Sequence, residues 1–206
     1  MFPYGMHSKK LIRFTKKTLL YKERDAKKRA EYLDKIRDIP LNDLVYIDES
    51  GIDHNSISTN CWTKRGVKII GEKSGKRRLR TSVMAALNGD EIKAPIRYSG
   101  TANTDLFLYW LEKVLLQELK KGQVVIMDNC SIHKYTIVEE IINSAGCSLI
   151  YLPPYSPDFN PIENYWAVMK NNIKKIRHNF ENIVDAIDQT LKKKTALSKL
   201  KYYITS

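Results

Sequence analysis

Two aspartates stand where short apolar segments of the sequence stop. Asp48 follows residues 44–47, and Asp128 follows residues 124–127. Such segments are typical of buried strands, and catalytic groups in open α/β sheets gather at the carboxyl ends of strands. Two neighbouring carboxylates repel each other unless a cation or a shared proton lies between them. The pair therefore predicts a site for Mg²⁺ or Mn²⁺. The alternative is that each aspartate simply forms a turn after its strand.

A third carboxylate cannot be chosen from the residues alone. Glu163 lies three positions after Asn160, with Pro161 at the first helical position, a spacing typical of a capping box. In that interpretation Glu163 only accepts a hydrogen bond from the backbone N–H of Asn160. Asp158 and Asp53 are further candidates. The pattern selects two acids and leaves the third open.

The charge of the chain favours a polyanionic partner. The 206 residues have a formal net charge of +12 at pH 7. Lys and Arg outnumber Asp and Glu by 12 to 5 in residues 1–40, by 8 to 1 in 64–80 and by 9 to 3 in 164–206. Such clusters indicate binding to nucleic acid, with an anionic membrane as the other class of partner.

Other features of the sequence exclude several classes of protein. Cys61, Cys130 and Cys147 are scattered without CxxC spacing, which argues against a disulfide framework and against structural zinc. No apolar run approaches the ~20 residues of a membrane helix, and residues 1–10 lack the apolar segment of a secretory signal. We therefore expect a soluble cytoplasmic protein that has no membrane partner.

The remaining segments must position the acids. Residues 22–38 predict a solvated helix ahead of the main domain. Apolar runs bounded by turn residues predict strands at 44–47, where a turn follows, and at 67–70, 79–87, 124–127 and 149–152. Further helices are predicted at 105–120, capped by Thr104, at 131–145, and from Ile162, with Trp166 in its apolar stripe. Strands that alternate with helices in this order predict an α/β sheet.

Three stretches of the sequence resemble a known family. They are YIDESG at 46–51, VIMDN at 125–129 with His133 and Lys134 after it, and YLPPYSPDFNPIE at 151–163 with Trp166 after it. Together they resemble the DDE transposases of bacterial insertion sequences related to the mariner elements, over about residues 20–178. The third stretch is long and highly specific. Between Asp128 and Glu163 lie 34 residues, the spacing typical of this group.

The resemblance implies a fold and a set of catalytic residues. The fold is ribonuclease-H-like, an α/β structure with a mixed five-stranded sheet and helices on both faces. The catalytic acids are Asp48, Asp128 and Glu163, so the third acid is Glu163. They would hold two divalent ions, Mg²⁺ or Mn²⁺, with Asp48 bridging both ions. Asn129 and His133 match the family pattern as supporting residues, although a histidine that opens a helix often satisfies only local backbone.

The activity implied is cleavage of insertion-sequence ends and strand transfer into target DNA. A homodimer on DNA, associated with the nucleoid, is expected. DNA phosphates would be neutralised by basic side chains whose alternative is a solvated surface: Lys64, Arg65, Lys73, Lys76, Arg77, Arg78 and Arg80. The implied division of the chain is a basic linker and short helix at 1–40, the catalytic domain at 41–180 and a basic helix at 181–206.

Two other functions stay open at this point. Relatives have a helix-turn-helix region before the catalytic domain, and here only a basic segment and one helix precede residue 44. A separate helix-turn-helix polypeptide could supply that region, or the chain could be a non-catalytic DNA-binding remnant. A structure-selective nuclease of the ribonuclease H type is the other alternative.

Overall fold

Five strands form one mixed sheet in the order β3-β2-β1-β4-β5. The computed structural model describes residues 21–54, 68, 70, 79–129 and 135–192. The strands are β1 (Leu44–Asp53), β2 (Arg80–Asn88), β3 (Glu91–Ser99), β4 (Val124–Met127) and β5 (Ser148–Tyr151). β1 pairs antiparallel with β2, which pairs antiparallel with β3, while β4 lies parallel to both β1 and β5. This order and these directions are those of a ribonuclease-H-like fold, as the family resemblance implies.

β1 is longer than the sequence indicates. The predicted turn at 48–51 is wrong, because β1 runs without interruption from Leu44 to Asp53. Its second half is held by β2, in a register that pairs Asp48 with Ala85 and Asp53 with Arg80. The polar residues after position 47 are therefore part of a strand, and the antiparallel partner supplies the backbone hydrogen bonds that they need.

β3 is absent from the sequence-based prediction. It follows β2 through a two-residue turn at Gly89 and Asp90, with Gly89 at φ +57°. Pro95 interrupts its apolar pattern, and the register with β2 shifts there between Met84 and Ala86. Proline is tolerated because β3 is an edge strand. The strand predicted at 67–70 lies mostly outside the described residues, and Lys68 and Ile70 are in neither a helix nor a strand.

Helices cover both faces of the sheet, as predicted. The helices are α1 (Ala26–Ile36), α2 (Thr104–Trp110), α3 (Tyr135–Ser144), α4 (Ile162–Ile176) and α5 (Ile183–Lys192). α2 and α3 pack on the face that presents Val45, Ile47 and Val125. α4 and α5 pack on the opposite face, over Ile52, Val83 and Ala85. None of the helices in the described ranges has the length and apolar character that crossing a membrane requires.

The first and last helices are part of this packing. α1 was expected to be solvated, but its Tyr32 is 4% exposed and packs with Leu44, Ile126 and Leu152. Ile187 of α5 is fully buried in the cluster formed with α4. The sheet therefore buries apolar side chains from both ends of the described chain.

The boundaries of two helices differ from the prediction. Asn103, and not Thr104, caps α2, because the Asn103 Oδ1 accepts a hydrogen bond of 2.8 Å from the Leu106 N–H. α2 then widens into a π-helical turn at Leu111–Leu115, which ends short of the predicted residue 120. The start predicted for α3 at residue 131 lies outside the described residues, and its end before Gly146, at φ +70°, is as expected.

Candidate active site

The parallel pairing of β1 with β4 brings two of the predicted acids to the same level. Leu44 pairs with Val124, and Tyr46 pairs with Ile126. The same offset places Asp48 level with Asp128, the first residue after β4. Asp48 is half-buried within β1, whereas Asp128 is exposed. The prediction that both aspartates end a strand is therefore correct only for Asp128, and the two lie on adjacent chain segments.

Glu163 lies in the first turn of α4 and is exposed. The predicted capping box is absent: the backbone N–H of Asn160 donates to the Pro157 carbonyl at 3.0 Å, and α4 has no side-chain cap. A short 3₁₀ turn at Pro157–Phe159 uses the N–H that the capping box requires. On either side of Glu163 in the chain, Ile162 and Trp166 are buried in the core. The apolar face of α4 is thus anchored in the core, and the Glu163 carboxylate takes no part in capping the helix.

The Asp48 carboxylate interacts electrostatically with both of the other predicted acids. Burial above all, together with the negative charges of Glu163 and Asp128, raises the pKa of Asp48 to about 7. Hydrogen bonds from the Glu49 backbone and from Trp166 act in the opposite direction, since they stabilise the charged carboxylate. The three acids are therefore electrostatically coupled around Asp48, the most buried of them.

Trp166 connects the helix to this carboxylate. Its Nε1 donates a hydrogen bond of 3.0 Å to the Asp48 Oδ2, and its indole is only 1% exposed. The sequence predicts Trp166 as a core residue, which is confirmed, but the hydrogen bond to Asp48 was not predicted. One signal for it exists: Trp166 follows Glu163 by three residues and so lies on the same side of α4.

The other candidate acids have different environments. Asp158 forms a two-pronged ion pair with Arg29, at 3.0 and 2.7 Å, which lowers the pKa of Asp158. Asp53 ends β1, opposite Arg80 of β2. Glu49 points to the other face of the sheet from Asp48, because side chains alternate along a strand. There its negative charge lies close enough to Tyr98 to add to burial, the main cause, in raising the pKa of that hydroxyl.

The donor chemistry of the three coupled acids fits a hard divalent cation. Carboxylate oxygens are the ligands that Mg²⁺ and Mn²⁺ prefer, and a cation would offset the mutual repulsion that acts on Asp48. Among the residues described, no three His, Cys, Asp or Glu side chains are already gathered closely enough to hold a metal ion. Coordination by all three would therefore require the exposed carboxylates of Asp128 and Glu163 to turn towards Asp48.

The structure describes only some of the predicted supporting and DNA-contact residues. Asn129 is exposed directly after Asp128. Arg80 is exposed at the start of β2, and its guanidinium lies against the backbone of Gly51, where a larger residue would collide with it. The remaining predicted residues lie outside the part of the chain that the structure describes: His133, Lys64, Arg65, Lys73, Lys76, Arg77 and Arg78.

Comparison with known proteins assigns this chain to a family. The model of the DDE superfamily endonucleases matches residues 43–186, which include β1, β4, all of α4 and the first four residues of α5, with all three acids. The chain belongs to this family. Among curated proteins, no significant match is found.

Solved structures of the Mos1 mariner transposase share the fold. The Mos1 strand transfer complex matches with a TM-score of 0.65 and 14% identity, over 92% of this chain and 60% of the Mos1 chain. The Mos1 paired-end complex with Mn gives a TM-score of 0.66 at 14% identity, over 92% and 61% of the two chains. The isolated Mos1 catalytic domain gives 0.57 at 14% identity, over 84% and 79%. The DDE endonuclease thus spans about 60% of the Mos1 chain in these complexes.

Proposed function

We propose that this DDE endonuclease is the catalytic core of a DNA transposase, which cuts the ends of an insertion sequence and joins them to target DNA. The observation that carries the proposal is the electrostatic convergence of Asp128 and Glu163 on Asp48, a half-buried carboxylate whose pKa is raised to about 7. Family membership and the fold shared with Mos1 support the same function.

The three acids have different parts in the proposed reaction. Trp166 holds the Asp48 carboxylate in one orientation, so Asp48 serves as the fixed ligand. Asp128 and Glu163 are exposed and complete the site from the end of β4 and the start of α4. Two divalent ions bound there would supply a nucleophile at neutral pH and neutralise the charge that develops on the phosphate. Asn129 and His133 are proposed to support substrate beside Asp128.

DNA is the proposed substrate and partner. The Mos1 structures include a paired-end complex with the left transposon end, and a strand transfer complex. The net charge of +12 on this chain suits the same polyanion. A homodimer on DNA, and a separate helix-turn-helix polypeptide that reads the element ends, belong to the same proposal.

Nicking of supercoiled plasmid in Mn²⁺ tests the proposed chemistry. We expect the wild-type chain to nick and Asp128→Asn to lose at least about a hundredfold in rate, as removal of a metal ligand does. Asp90→Asn is a matched control, because Asp90 is an exposed carboxylate in the β2–β3 turn, at the end of the strands that lies away from Asp128. It should nick at the wild-type rate.

The outcomes separate the rival functions. If neither the wild type nor Asp128→Asn nicks while both bind DNA with strong salt dependence, the chain is a binding remnant or needs a partner polypeptide. If it cleaves the RNA strand of a hybrid in preference to DNA, it is a ribonuclease. If Asp128→Asn nicks as fast as the wild type, the assignment of the active site is wrong.

A further inference from the structure

Two tyrosine rings lie exposed beside each other at one edge of the structure. Tyr21 is 54% exposed and Tyr155 is 56% exposed. Their ring centroids are 5.9 Å apart, with an angle of 41° between the planes. Two exposed aromatic rings side by side offer faces on which the ring of a ligand can stack.

The backbone holds Tyr155 in a conformation that tyrosine rarely adopts. Its φ is +56°, in the left-handed region that favours glycine. The next residue, Ser156, is buried and donates from its Oγ to the Pro154 carbonyl at 3.2 Å. Strained residues of this kind persist where the surroundings fix them, and they cluster at functional sites.

The loop that carries Tyr155 is locked to α1. Arg29 forms the two-pronged ion pair with Asp158, and its guanidinium carbon lies 3.8 Å from the centre of the Phe159 ring. Phe159 in turn stacks on Tyr32, with 5.4 Å between centroids. These contacts fix the loop before any ligand binds, so a partner of Tyr155 meets a preorganised surface.

This surface lies at the same end of the strands as the active site. The Leu152 N–H donates to the Met127 carbonyl at 2.8 Å, so the chain leaves β5 beside the end of β4, where Asp128 follows. From there the loop passes Tyr155 and reaches Glu163 at the start of α4. The contact of Arg29 with Asp158 brings the beginning of α1, and Tyr21 before it, to this end of the strands.

The charge around the rings suits a nucleic acid. Arg24 lies close enough to Asp158 to lower the pKa of that carboxyl, after the stronger effect of Arg29. The exposed segment 21–28 is net positive, with four cations against two acids: Lys22, Arg24, Lys27 and Lys28 against Glu23 and Asp25. Aromatic rings flanked by cations are the usual means by which proteins hold unpaired bases, since the rings stack on bases and the cations meet phosphates.

We propose that Tyr155, together with Tyr21, forms a stacking surface for an unpaired base of the DNA held at the active site. The inference rests on the proposed function, since it assumes that DNA is the substrate. A base inside a duplex has both faces covered by its neighbours, so these rings select a base that is unpaired. The surface would fix the position of a DNA end relative to Asp128 and Glu163.

Binding measured without catalysis tests this surface. The full chain in EDTA would be titrated onto two labelled duplexes, one blunt and one with a 3′ single-stranded overhang that carries 2-aminopurine. We expect tighter binding to the overhang by about tenfold, the effect of stacking one base, together with quenching of the 2-aminopurine. Tyr155→Gly should remove both effects, because glycine accepts the φ of +56° and lacks the ring.

Two further variants sharpen the experiment. Tyr155→Phe keeps the ring and should retain the preference for the overhang. Tyr109→Ala is the matched control: Tyr109 is 62% exposed on α2, which packs on the opposite face of the sheet. Equal binding of the two duplexes by the wild type, or an undiminished preference in Tyr155→Gly, would overturn the inference.

The inference and the proposed function fail in different ways. A chain that nicks plasmid but binds the two duplexes equally has the proposed activity and lacks the stacking surface. A chain that prefers the overhang but never nicks has the surface without the activity. A chain that binds neither duplex lacks both.

Discussion

The Trp166 Nε1 donates a hydrogen bond of 3.0 Å to the Asp48 Oδ2, across 118 positions of the sequence. The bond joins α4, which carries Glu163, to β1, which carries Asp48. Because the indole is buried and fixed by packing, it restrains the carboxylate in a way that a mobile side chain would not. One residue therefore sets both the orientation of Asp48 and the position of the helix that presents Glu163.

Trp166→Phe should separate these two effects. The substitution keeps most of the buried ring and removes the donor, so the Asp48 carboxylate loses a hydrogen bond to a charged group, worth roughly 1.5–3 kcal/mol. We expect nicking to fall by about tenfold or more, and the half-saturating Mn²⁺ concentration to rise. Plasmid nicking across a Mn²⁺ series measures both quantities.

Trp110→Phe is the matched control for that variant. Trp110 is also fully buried, and its Nε1 donates to the Ala94 carbonyl at 2.7 Å, in the core on the other face of the sheet. It should lose stability to a similar degree while its half-saturating Mn²⁺ concentration stays at the wild-type value. A rise in that concentration for both variants would mean that Trp166 acts only through stability.

The elements that the sequence predicted correctly are those with an uninterrupted pattern. β4 is four consecutive buried apolar residues, and α4 repeats apolar residues at helical spacing through Trp166 and Ile173. β3 was missed because Pro95 and the buried Lys93 break its pattern, and only the pairing with β2 makes it a strand. The length of β1 was missed for a related reason, since its polar residues look like a turn.

The residues of the candidate site also differ in how far the local sequence could predict them. Asp48 and Asp128 follow local apolar runs, so the residues alone single them out. Glu163 could not be told from a capping residue by spacing, because a capping box depends on where the Asn160 N–H is directed. The contacts of Trp166 with Asp48 and of Arg29 with Asp158 join residues more than 100 positions apart. Such contacts depend on the tertiary fold and leave no local pattern.

Glu163→Ala distinguishes a ligand from a cap, because glutamine could still accept the capping hydrogen bond and alanine cannot. Since Glu163 is exposed and α4 has no side-chain cap, the substitution should leave the melting temperature unchanged. Nicking should fall by roughly a hundredfold, because the substitution removes a charged metal ligand. A helix cap is worth about 1 kcal/mol, so a drop of about 2–4 °C in the melting temperature would restore the capping interpretation. Calorimetry and plasmid nicking on one preparation give both values.

Asp158→Asn should change how stability depends on pH. Arg29 lowers the pKa of Asp158 in the folded state, so the charged carboxylate stabilises the fold above its ordinary pKa. That stabilisation is lost as the pH falls from about 4 through the lower folded-state pKa. At pH 7 we expect the variant to be less stable by about 1 kcal/mol, a modest value because the Asp158 side chain is 36% exposed.

Urea denaturation at pH 7 and at about pH 2.5 tests this dependence, since an unperturbed aspartate is largely protonated at the lower pH. The difference between the wild type and Asp158→Asn should be smaller at the lower pH, and it reaches zero only below the lowered folded-state pKa of Asp158. Asp90→Asn, in an exposed turn, should match the wild type at both. A difference that stays constant with pH would show that the Arg29 pair is not its source.

Arg80→Gln tests whether the guanidinium against Gly51 meets DNA. Each phosphate neutralised by a basic side chain contributes about 0.9 to the slope of log binding constant against log salt concentration. If Arg80 contacts a phosphate, the variant should bind duplex DNA more weakly at low salt and lose about that much of the slope, equally for all sequences. Arg37→Gln is the control, because Arg37 is exposed just after α1 and pairs with Asp34. Anisotropy titrations at several salt concentrations should give the control the wild-type slope, and the same slope for Arg80→Gln would remove Arg80 from the DNA-binding surface.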